Sequence, residues 1–140
     1  MASIHIESAV GVSADTAWQE LKRIGDADKL FAPVLTGAEM HGDIRTARFG
    51  NGLVVHERVI DVDDARRRVA YSALDSPVLT YHHASMQIIE EAPDRCRFVW
   101  TTDFLPADAL SGLQPLVDAG TQALKANLEQ VRSGAAGVRG

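Results

Sequence analysis

The sequence predicts an α+β domain in which an antiparallel meander packs against one long C-terminal helix. Two periodicities and the brevity of the links between segments carry this expectation. Leu113, Leu116, Val117, Leu124, Leu128 and Val131 recur at three- and four-residue steps, which places them on one side of a helix. From Leu35 to Phe104 the apolar period is two instead, with Gly, Asn, Asp or Pro at most of the breaks. Short links make hairpins and leave no room for parallel crossovers, so the strands should lie antiparallel. The helix then buries its stripe on one face of that sheet.

Taken in order, Ile4 and Ile6 alternate with His5 and Glu7 as a half-buried first strand ending near Gly11. Ser13 offers a hydroxyl as N-cap, Asp15 sits in the first turn, and Ala17, Trp18, Leu21 and Ile24 form an apolar helical face that Gly25 closes. Asp26 can cap a second short helix through Leu30 and Phe31, which must stop before Pro33. The expected strands are Leu35 to Met40, Ile44 to Phe49, Leu53 to Asp61, Arg68 to Leu74, Leu79 to Ile89 and Arg95 to Phe104. With the first strand they make a sheet of about seven. Pro106 opens a helical turn through Leu110, Gly112 interrupts it, and Pro115 suits the first turn of the long helix. One domain over residues 1–132 is expected, with a loose tail over 133–140.

Composition narrows the function classes. Of 140 residues, 46% are apolar and 24% charged, an ordinary balance for a globular chain. No apolar run approaches the roughly 20 residues of a membrane span. The opening residues lack a secretory pattern, and a single cysteine forms no internal disulfide, so a cytoplasmic setting is expected. A net charge of −5 argues against nucleic acid as a partner. The basic run Arg66-Arg67-Arg68 follows Asp61, Asp63 and Asp64 and reads as a solvated hairpin end.

Strand parity sorts the candidate site residues. Phe98, Trp100, Thr102 and Phe104 share one face and must point inward; Val69, Tyr71 and Ala73 do so from their strand, and Val55 and Val59 carry Glu57 inward from theirs. A buried carboxylate needs a partner. A three-residue Gly50-Asn51-Gly52 loop pairs Ala47 with Val55 and Arg45 with Glu57, whereas a two-residue Asn51-Gly52 turn would set Thr46 opposite Glu57. The first register is preferred because it gives the carboxylate a guanidinium. Such a pair reads equally as an internal device fixing register or as a polar anchor in an apolar pocket.

Inward Ala84, Met86 and Ile88 carry His82 with them and leave His83 outside, unless a bulge exchanges the two. Neighbouring strand residues point oppositely, so His82 and His83 cannot share a metal ion, and no metal or cofactor is expected. His82 is either a satisfied structural histidine or a proton carrier. His5, His41 and His56 read as surface residues, and Cys96 as an inert thiol. Gly120 interrupts the helical stripe at a cost of about 1 kcal/mol relative to Ala. Either the sheet approaches closely there, or the missing side chain leaves room for a ligand.

The arrangement of helix, short second helix, six-strand meander and long final helix, with Gly42 to Arg45, Gly52, Glu57, Asp61 to Asp64, Tyr71, Tyr81, Trp100 and Phe104, resembles the polyketide cyclase/dehydrase branch of the START-related superfamily. The segments His82 to Gln87 and Val99 to Asp103 look most specific to that branch, and the resemblance covers Ser3 to about Val131. It implies a helix-grip fold, a curved sheet wrapped around the last helix with a hydrophobic cavity between them. Phe31-Ala32-Pro33 departs from the pattern, since many members have Trp before the Pro.

The expected function is binding of a small hydrophobic molecule, lipid-, polyketide- or aromatic-like, by Arg45, Glu57, Tyr71, His82, Met86, Phe98, Trp100, Leu116, Gly120 and Leu124. The alternative is a cyclase/dehydrase-type enzyme in which Tyr71 or His82 moves a proton while Arg45 stabilises an enolate. A protein-interaction or chaperone-cofactor domain is a further alternative, and a homodimer is compatible with all three.

Overall fold

The computed structural model describes residues 2–139, with side-chain environments through Val131. Strand β1 (Ala2–Val10) leads into helix α1 (Ala14–Leu21), a 3-10 turn (Ile24–Asp26) and helix α2 (Ala27–Leu30). Strands β2 (Leu35–His41), β3 (Ile44–Phe49), β4 (Val54–Asp63), β5 (Arg68–Leu74), β6 (Tyr81–Ala92) and β7 (Arg95–Leu105) follow, then helix α3 (Leu110–Arg139). All strand neighbours are antiparallel in the order β1-β7-β6-β5-β4-β3-β2. The first strand therefore closes onto the last, and the meander runs outward from there. Irregularities at Leu35/Gly37, Val59/Asp61 and Glu90/Ala92 add residues to one strand of a pair, which bends and twists it.

Ser13 caps α1 as its hydroxyl accepts the Thr16 N–H at 3.1 Å. The helix ends at Leu21 rather than at Gly25, because Arg23 leaves helical geometry and the chain tightens into the 3-10 turn. Gly25 instead lets that turn approach β2, where a Cβ would sit 3.3 Å from Met40 Cγ. Asp26 does not cap α2 through its side chain; its carboxylate takes Arg23 at 2.9 Å and Lys29 at 3.7 Å. The acidic and basic hairpin end is not wholly solvated either. Asp64 accepts the Trp18 indole N–H at 2.8 Å and Arg67 pairs with Asp15 at 2.8 Å, so the hairpin docks on α1.

Helix α3 begins at Leu110, earlier than the proline suggested, and runs through Gly112 and Pro115. Pro115 lies in its second turn, and the carbonyl of Ser111 that loses a partner belongs to an exposed residue. Val117, Leu124 and Leu128 are buried as the stripe requires, but Val131 is exposed: the stripe outlasts the surface it packs on. The expected loose tail over 133–140 lies outside the residues whose side chains are described.

The core is dense at both ends of the sheet. Val10, Val12, Trp18 and Leu21 meet Ile88, Cys96, Phe98, Leu124 and Leu128 beneath α1, while Ile4, Phe104 and Val117 form a smaller cluster near the start of α3. Each fully buried residue of the size of Leu or Phe contributes roughly 1.5–3 kcal/mol. Trp100 touches both clusters and stands between them.

Candidate functional site

The turn at Gly50-Asn51-Gly52 fixes everything that follows in this region. Gly52 takes φ +93°, a left-handed conformation that favours glycine, and Phe49 N–H donates to the Leu53 carbonyl at 2.8 Å. The pairs Ala47 with Val55 and Arg45 with Glu57 result, as the three-residue loop requires. Arg45 Nε–H donates to Glu57 Oε1 at 2.9 Å and Nη1–H donates to the Ile24 carbonyl at 3.2 Å. Both side chains are nearly withdrawn from bulk water, at 9% and 14% exposure. The guanidinium carbon lies 5.4 Å from the centre of the Tyr71 ring, a cation–π arrangement.

Tyr71 is buried, and its phenol oxygen accepts the Trp100 indole N–H at 3.1 Å. Burial holds the phenol well above its ordinary pKa, the charge of Glu57 pushes it further, and Arg45 and the indole bond work against both. Among the described residues no acceptor is assigned to the phenol's own hydrogen. It is a donor available to whatever occupies the space in front of it.

His82 bridges a fork in the sheet. Regular pairing of β5 with β6 stops at Tyr71 and Ala84, and beyond it the Ala73 N–H donates to His82 Nδ1 at 2.9 Å. A backbone amide can only donate, so Nδ1 carries the lone pair and the ring proton sits on Nε2, 3.1 Å from Thr102 Oγ1. Burial, aided by the nearby His83 and opposed by Asp103, lowers its pKa to about 4. The ring is neutral at physiological pH with both nitrogens engaged. No bulge exchanges His82 with His83.

Between the two core clusters lies a cavity of about 270 Å³. Small-molecule sites typically measure roughly 300–1,000 Å³, so this one suits a small ligand. Arg45, Glu57, Tyr71 and His82 line it together, as do Met86, Trp100, Leu116 and Gly120. Phe98 and Leu124 do not: both face inward but lie in the solid core, fully buried. Strand parity for Phe98 and helical spacing for Leu124 give the face and say nothing of depth. At Gly120 both readings meet, since the glycine lines the cavity while a Cβ there would sit 3.0 Å from the Trp100 ring.

Sequence reasoning missed much of the wall. Phe31 just after α2, Phe49 and Leu53 at the hairpin, and the segment from Asp75 to Leu79 all border the cavity. The expected strands leave Asp75 to Val78 as a link, and in the structure β6 starts only at Tyr81, so Leu79 joins that link in bordering the cavity. Of the expected surface histidines, His5 and His41 are exposed, while His56 is exposed yet borders the cavity mouth and contacts Thr46 at 3.1 Å. Cys96 is fully buried, and burial pushes its thiol up to about 11. Among the described residues no three His, Cys, Asp or Glu side chains gather closely enough to hold a metal ion, and no helix is long and apolar enough to cross a membrane.

A family model described as polyketide cyclase/dehydrase and lipid transport matches residues 1–132. The chain belongs to this family. Its solved relatives agree in fold. XoxI from Bacillus cereus superposes with a TM-score of 0.85 at 18% identity, covering 94% of this chain and 99% of that one. A START superfamily protein from Mycobacterium smegmatis gives 0.74 at 16% identity, over 92% and 98%. Norcoclaurine synthase from Thalictrum flavum, solved with dopamine and hydroxybenzaldehyde, gives 0.74 at 21% identity, over 95% and 87%. No curated protein sequence matches. For this member of the family the architecture is the helix-grip fold, a curved seven-stranded sheet around the C-terminal helix with short helices after the first strand.

Proposed function

We propose that the protein binds a small hydrophobic molecule in the cavity between the sheet and α3. The observation that carries this reading is a largely apolar space of about 270 Å³ with a polar group set into its wall, Arg45 paired with Glu57 beside the Tyr71 phenol. Such convergence of a few directed polar atoms on an apolar pocket is the usual form of a ligand site. The family's description and a relative of the same fold solved with two single-ring aromatic compounds support a ligand of that size. Native mass spectrometry of freshly purified protein, followed by thermal melts with the molecules released, tests it. The expected result is a bound apolar compound whose addition raises the melting temperature with the logarithm of its concentration. A cavity that stays empty and a melting temperature that no apolar compound moves would overturn it.

A second reading, a cyclase/dehydrase-type enzyme, is favoured by the available Tyr71 proton beside the Arg45 cation. That pair could polarise a carbonyl and hold the negative charge that develops on its oxygen. His82 has no part in it, since its proton and its lone pair are both committed. Tyr71→Phe separates the readings: an enzyme loses turnover with little change in melting temperature, whereas a binding protein loses affinity only.

A further inference from the structure

We propose that the cavity selects neutral molecules carrying a hydrogen-bond acceptor, such as a ketone, lactone or quinone carbonyl, and rejects carboxylates, with Glu57 as the residue that sets the preference. This rests on the reading of the cavity as a ligand site. Charge is the first argument. The charged side chains lining the cavity are Arg45, Glu57 and Asp75, so acid outnumbers base and the single cation is already paired at 2.9 Å. A ligand carboxylate entering this space would give up its hydration and meet Arg45 only in competition with Glu57. An ammonium group would meet Glu57 only beside Arg45. Neither charged ligand finds an unshared counter-ion at the buried end, and a neutral one needs none.

Hydrogen-bonding capacity is the second argument. Arg45 uses Nε on Glu57 and Nη1 on the Ile24 carbonyl, and among the described residues no acceptor is assigned to its Nη2 hydrogens. The Tyr71 hydroxyl hydrogen is in the same position. Trp100 and His82, by contrast, have their ring nitrogens engaged. At the buried end of the wall, away from the exposed Asp75, the unused capacity is that of the Arg45 and Tyr71 donors, with Glu57 Oε2 as the carboxylate acceptor beside them. A carbonyl oxygen accepts from such donors without bringing charge, and an adjacent hydroxyl on the ligand could donate to Glu57.

The test uses three probes of one shape: 2-acetylnaphthalene, 2-naphthoate and protonated 2-(aminomethyl)naphthalene. Their dissociation constants are measured by calorimetry at pH 7.5 on the full chain. The ketone is expected to bind the wild type roughly tenfold or more tighter than either charged probe. In Glu57→Gln, which strands the Arg45 charge, naphthoate gains roughly tenfold or more relative to the ketone. Naphthoate or the ammonium probe matching the ketone on the wild type would overturn the proposal, as would an unchanged preference in Glu57→Gln. Failure of all three probes to bind would instead overturn the ligand-site reading on which it stands. The wild-type comparison needs no variant, so it decides the neutral preference even where Glu57→Gln does not fold.

Discussion

The ring of Trp100 occupies the place where a side chain on Gly120 would begin, with its Cζ3 3.0 Å and its Cη2 3.2 Å from an ideal Cβ. The ring cannot easily retreat. Its Nε1–H is held by Tyr71 at 3.1 Å, and Phe31 and Phe98 pack beside it at 5.9 and 6.1 Å between ring centres. Helix and sheet are thereby set at a fixed separation, and the cavity depends on it.

Gly120→Ala tests that contact. Helix propensity alone would stabilise the variant by about 1 kcal/mol, and overpacking a fixed neighbour costs about 1–3 kcal/mol. The expected net effect is destabilisation of about 1 kcal/mol in urea unfolding, with an altered indole fluorescence. A stabilised variant would mean that Trp100 moves aside freely.

Glu57→Gln leaves the Arg45 guanidinium in a nearly dry site with its charge uncompensated. The expected loss is on the order of 3 kcal/mol, since removing one partner of a buried pair strands the other. Chemical denaturation at neutral pH measures it, and a change near zero would show that the pair is hydrated through the cavity.

His82 makes stability depend on pH in one window. Its pKa in the folded protein is about 4 against an ordinary value near 6.5, so between these values the unfolded chain binds more protons than the native one. Stability therefore rises with pH through this window and is lost on acidification from about 6.5 towards 4, by on the order of 3 kcal/mol at the acid end. Denaturation curves at pH 7 and pH 4.5 are expected to differ far less in His82→Asn than in the wild type. Equal differences in the two proteins would assign the pH dependence elsewhere.

Cys96 is fully buried with its thiol pushed up to about 11. A thiol-specific disulfide reagent at pH 8 is expected to leave the native protein unlabelled for as long as it stays folded and to label one site at once in guanidinium chloride. Rapid native labelling would show local opening of β7.

The Arg45–Glu57 pairing was legible because parity and turn chemistry are local. Two glycines around Asn51 choose the loop, the loop chooses the register, and the register chooses which charges face each other. Phe98 and Leu124 show the limit of that reasoning. Their side chains point to the same interior as Trp100 and Gly120, but the interior is solid beneath α1 and hollow farther along. His82 shows a second limit: its face followed from alternation, whereas its bonds to Ala73 and Thr102 exist because two strands part company.

The sequence by itself determined the two periods, the inward sets and a preferred register for the internal ion pair, and through them an antiparallel meander packed on the C-terminal helix; the resemblance implied the helix-grip form of it. Each of these rests on residues close to one another in the chain. Only the tertiary structure decided how much of the interior stays empty, that the segment from Asp75 to Leu79 helps wall it, and which ring nitrogen of His82 holds the proton. Those outcomes depend on sheet curvature and on the summed volumes of side chains from many elements, quantities that no single stretch of chain contains.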